Sequence, residues 1–82
     1  MLQRTIILDC DNRTHHPELL EFTAHLERLV EKIPEIDVLR RWSRHPTATR
    51  VELDLDSNNR PLTIEVADLI INLVAHTPFT VR

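Results

Sequence analysis

Glycine is absent from all 82 residues, where about 7% would be usual. That absence removes every glycine-dependent site. There is no G-x-x-x-x-G-K phosphate loop, no G-x-G-x-x-G dinucleotide turn and no G-x-S-x-G nucleophile elbow. Cysteine is almost absent too. Cys10 stands alone, which excludes an internal disulfide and four-cysteine metal knuckles. A small chain without disulfides belongs in a reducing compartment, so a cytoplasmic location is expected. No long apolar run exists. The most apolar stretch, Ile64 to Ala75, carries Glu65, Asp68 and Asn72, and a membrane span needs about 20 residues. The opening MLQRTIILDCD reaches acid too early for a secretory leader. Serine occurs only at 43 and 57, and no spacing pairs either with a histidine as a nucleophile and its base.

What is present suffices for one small α+β domain spanning 1–82. Apolar residues make up 41% of the chain and charged residues 28%, with a net charge of −3. That balance argues against disorder. A chain this short buries only about 60–65% of its unfolded surface, so its stability is marginal.

Hydrophobic spacing divides the chain into six elements. Thr5-Ile6-Ile7-Leu8 is a β-branched apolar run that reads as a central strand. Pro17 suits the first turn of a helix, and Glu18 favours the positive end of its dipole. Leu19, Phe22, Leu26, Leu29, Val30 and Ile33 recur at helical steps, which predicts a helix over 17–32, ended by Pro34. Residues 36–43 alternate as a strand, although a short helix carrying Leu39 and Trp42 also fits. Val51, Leu53 and Leu55 alternate with Glu52, Asp54 and Asp56, a half-buried strand with an acidic outer face. In the turn that follows, Asn58 or Asn59 is expected to take the left-handed conformation glycine usually supplies. Glu65, Asp68, Asn72 and His76 then form a narrow polar stripe. They predict a second helix over 63–76 with Thr63 as its N-cap, and Phe79-Thr80-Val81 completes the order as a short strand.

The order β-α-β-β-α-β in so few residues leads to a ferredoxin-like split βαβ sandwich: one antiparallel sheet with two helices on one face. Right-handed crossovers place the first and third strands in its centre. Many functions share this architecture, so function must come from sites.

Three constellations are candidates. Asp9, Cys10, Asp11, His15 and His16 are all possible ligands for a divalent metal such as zinc, although alternation sets Cys10 on the strand face opposite Asp9 and Asp11. This segment resembles the D-x-D-x-T strand motif of haloacid-dehalogenase-type phosphatases, with Arg13 in the threonine position and no room for that family's parallel sheet. The second, Asp54-x-Asp56-x-Asn58 with Glu65, resembles an EF-hand calcium loop. Asn59 replaces its glycine, and the segment leading in is strand-like. The third comprises Arg40, Arg41, Trp42, Arg44 and Arg50. Residues 40–50 carry +4 and no acid, leaving −7 for the remainder. Such a basic hairpin with one aromatic suits phosphate and base contacts, but pairing with the neighbouring acidic strand accounts for it without nucleic acid.

The second helix is apolar over a wider arc than one sheet contact needs, and Ile70, Ile71 and Val74 are the positions expected to face a partner. Together these features point to a non-enzymatic protein-interaction or regulatory module that self-associates as a homo-oligomer. The alternatives are a metal- or small-ligand-binding domain using residues 9–16 and nucleic-acid binding through 40–50. No cofactor is required, with a divalent metal at 9–16 the one candidate.

Overall fold

A computed structural model describes residues 2–11 and 14–81. The elements are β1 (Leu2–Asp11), α1 (His16–Glu31), β2 (Asp37–Arg44), β3 (Ala48–Ser57), α2 (Arg60–Val74) and β4 (Thr80–Val81). They form one sheet in the order β2-β3-β1-β4 with every neighbouring pair antiparallel. The two central strands are the two most apolar or most regularly alternating segments, as the sequence predicts. The fold is the ferredoxin-like sandwich.

Alternation decides which sheet face meets the helices. Ile6, Leu8 and Cys10 of β1 and Val51, Leu53 and Leu55 of β3 point to one side. There they pack with Leu19, Leu26 and Val30 of α1 and Val66, Ala67, Ile70 and Val74 of α2. Thr23 joins this core at no exposure, its hydroxyl donating to the Leu19 carbonyl at 2.8 Å. Leu29, on the predicted apolar stripe, instead lies exposed at the edge of α1. The other sheet face has no helix over it. Along it run Asp37, Leu39, Arg41 and Ser43 of β2, then Arg50, Glu52, Asp54 and Asp56 of β3, then Thr5, Ile7 and Asp9 of β1. We call it the open face.

Two local expectations are corrected. The helix α2 starts three residues before Thr63, because Asn59 caps it. The Asn59 side chain accepts from the Leu62 N–H at 3.2 Å, and Pro61 occupies the first turn, where a missing N–H costs nothing. Thr63 is fully buried, and its hydroxyl donates to the Asn59 carbonyl. Nor does Asn58 or Asn59 adopt a left-handed backbone. Asn59 sits at φ −105°, ψ 93°, and no described residue has positive φ. Asp54 and Asp56 lie inside β3 with their carboxylates on the open face, so they do not form a calcium loop.

Candidate interaction surface

The sheet has two edges of unequal length. On one side β4 pairs only with Leu8 and Asp9. On the other, β2 runs for eight residues, paired to β3 along one side. In a strand paired on one side only, alternate N–H and C=O groups point outward without a partner strand. Its side chains alternate as well. Val38, Arg40, Trp42 and Arg44 lie on the helix side, while Asp37, Leu39, Arg41 and Ser43 lie on the open face. Leu39 is 54% exposed and Trp42 53% exposed. The free edge therefore carries a large apolar side chain on each face.

Alternation also divides the basic segment, so the expected single patch does not form. Arg40 reaches from the helix side to Glu27 of α1 at 3.4 Å. Arg44, on the same side, donates to Nε2 of His16 at 2.7 Å. Because Nε2 accepts there, the ring proton is on Nδ1, which donates to the Thr49 hydroxyl at 2.8 Å. Trp42 meets the same imidazole edge-on, at 5.8 Å between ring centres. On the open face Arg41 binds the carboxylates of Asp54 and Glu52. Arg50 grips Asp9 through Nε at 2.8 Å and Nη2 at 3.3 Å. Burial by itself would push the Asp54 carboxyl up. Arg41 and the Thr5 hydroxyl outweigh it and hold Asp54 below the ordinary carboxylate value.

The 9–16 ligand set is dispersed in the same way. Asp9 is on the open face against Arg50, and Cys10 is in the core with its thiol pushed up mainly by burial. Asp11 accepts from the Thr14 N–H, His15 meets Glu18 at 3.3 Å, and His16 is occupied by Thr49 and Arg44. Residues 12 and 13, within this segment, lie outside the described residues. Among the described residues no three His, Cys, Asp or Glu side chains gather around a common point.

Two of the three α2 positions expected to face a partner are not at the surface. Ile70 and Val74 are core residues at 2% and 1% exposure, and Ile71 is half-buried. The exposed apolar residues of α2 are Ile64, Leu69 and Leu73. Helical spacing sets Ile64 on one flank and Leu69 and Leu73 on the other, with Glu65, Asp68 and Asn72 between them. They are margins of a core-facing stripe, not one patch. No helix among the described residues is long and apolar enough to cross a membrane.

The open face at the start of β2 is rich in acid. Asp37 stands directly opposite Asp56 of β3, a like-charge cross-strand pair that is unfavourable. Asp37 makes no ion pair among the described residues, and the buried Oδ1 of Asp56 has no hydrogen-bond partner there. Gln3, Asp37, Leu39, Arg41, Asp54 and Asp56 line a shallow depression at this place.

No family model matches the chain, and no curated protein matches it. Solved structures similar to it include a de novo designed protein with ferredoxin fold, determined by solution NMR. It is 16% identical with a TM-score of 0.67, over 100% of this chain and 82% of that one. The de novo designed protein Ferredog-Diesel is 15% identical with a TM-score of 0.63, over 99% of this chain and 82% of that one. At these identities the likeness carries the fold alone.

Proposed function

We propose that this chain is a non-enzymatic protein-interaction module that self-associates through the free edge of β2. One observation carries the reading: an eight-residue edge strand holds Leu39 and Trp42, each more than half exposed, on opposite faces. A strand added there extends the backbone ladder and covers apolar surface along the edge. A domain of this size gains stability from any surface it buries in a partner. The nucleic-acid reading draws less support, because Arg40, Arg41 and Arg50 each already contact a carboxylate. Sedimentation equilibrium tests the proposal. Dimers are expected at tens of micromolar chain, and a monomeric mass throughout that range refutes self-association.

A further inference from the structure

We infer that two copies pair β2 against β2 in an antiparallel ladder centred on Leu39, with Asp37 of each copy opposite Arg41 of the other. The inference rests on the self-association reading and specifies its geometry. Residues directly opposite in an antiparallel ladder share a sheet face. A two-fold axis that continues the sheet must therefore pass at a residue, since an axis between residues would set open-face positions against helix-side positions. The axis choices then differ in charge. Centres at Arg40 or Arg41 place each arginine against its own copy. A centre at Trp42 places Arg40 against Arg44. Because β2 spans only Asp37–Arg44, a centre at Val38 leaves a ladder of only residues 37–39, and a centre at Ser43 one of only residues 42–44.

The centre at Leu39 joins residues 37–41 of both strands. Leu39 meets its own copy at the axis on the open face, and Val38 meets Arg40 on the helix side. The Asp37–Arg41 pair forms twice by symmetry. This pairing answers the unfavourable feature already noted. Asp37 faces Asp56 and has no cation partner among the described residues, and the second copy brings a guanidinium to that corner. Arg41 is available for it, because its side chain is 61% exposed and a guanidinium has donors beyond those used on Asp54 and Glu52. The arrangement is closed and isologous, so it stops at two copies. Stacking two open faces is disfavoured by contrast, since Asp9, Asp37, Glu52, Asp54 and Asp56 outnumber Arg41 and Arg50 there.

The test uses the full chain and three variants in sedimentation equilibrium, with circular dichroism confirming the fold of each. Asp37→Lys sets two cations against the two Arg41 side chains, and weakening of the dimer by about tenfold or more is expected. Both Asp37 and Leu39 are exposed, so the monomer tolerates changes there, and Leu39→Lys, which places like charges at the axis, is expected to abolish the dimer. Mixing Asp37→Lys with Arg41→Glu makes both cross-strand pairs attractive again, so a heterodimer tighter than either homodimer is expected. Should Arg41→Glu fail to fold, the first two variants still decide. A wild-type dimer untouched by Asp37→Lys or by Leu39→Lys overturns this ladder while leaving self-association standing. A monomeric wild type overturns both.

Discussion

Adjacent residues of β1 test the division of the sheet into two faces. Leu8 lies in a central strand between Val51 and Val81 and has no exposed surface. Ile7, next to it, faces the open side opposite Glu52 and is half-buried. Leu8→Ala removes apolar atoms from a packed interior and leaves a cavity, at a cost of about 3 kcal/mol within the usual range. Ile7→Ala loses part of a contact that water already reaches, about 1 kcal/mol. A chain of this length has a total stability of roughly 4–12 kcal/mol, so the first change takes away a large share. The corresponding falls in Tm are about 10–20 °C for Leu8→Ala and about 5 °C for Ile7→Ala. Urea denaturation followed by far-UV circular dichroism, at low concentration to keep association out of the measurement, gives both values. Equal costs, or a greater cost at Ile7, would refute the assignment of Ile6, Leu8 and Cys10 to the core.

Two further outcomes follow from single contacts. Asn59→Ala removes the side-chain acceptor for the Leu62 N–H and the donor to Glu35 at 2.8 Å, so urea denaturation should show a loss of about 1 kcal/mol; an unchanged midpoint would mean that α2 does not depend on this cap. Arg41→Met alters the acid limb of stability. Asp54 has its folded pKa held below the unfolded value, so its contribution is present above about pH 4 and is lost as pH falls through the folded value. Without Arg41 the burial of Asp54 pushes its carboxyl up, and the loss begins at higher pH. Superimposable profiles of urea midpoint against pH for wild type and variant would rule out the Arg41–Asp54 pair as its cause.

The architecture was legible because two periods alternate along the chain without ambiguity. Val51, Leu53 and Leu55 announce a strand, and Leu19, Leu26 and Val30 announce a helix. Both central strands extend beyond their apolar runs, since pairing continues through polar residues such as Arg50 and Asp9 once a neighbouring strand supplies their partners. The start of α2 is ambiguous in the sequence because Thr63 and Asn59 are both good caps by type. Which one serves depends on Pro61, which suits a first turn as well as a loop. The division of Arg40, Trp42 and Arg44 from Arg41 and Arg50 follows directly from a two-residue period. Counting charge over 40–50 concealed it. The α2 interface failed for a different reason. A wide apolar arc does not say which part meets the sheet, and the packed part proved to be its middle, Ile70 and Val74. Leu39 does not stand out in the sequence because it sits among the polar positions of β2, and only the order of strands reveals that this position lies on an edge.

The missing glycine acquires a structural meaning in this setting. The chain turns without positive φ at any described residue. Between β2 and β3 the Ala48 carbonyl accepts from the His45 N–H at 2.8 Å, closing a connection that contains Pro46. Between β3 and α2, Ser57 accepts from the Asn59 N–H while Asn59 caps the helix. These connections present side chains, and their hydrogen bonds are made within the chain. A β-strand edge differs, because extended backbone places outward N–H and C=O groups at the surface without any left-handed residue. A glycine-free chain can thus still offer backbone to a partner along a strand edge, and among the described strands the longest such edge is β2. Its own side chains then select what pairs with it. Arginine faces arginine in the registers centred on 40 and 41, and carboxylate faces arginine in the register centred on Leu39.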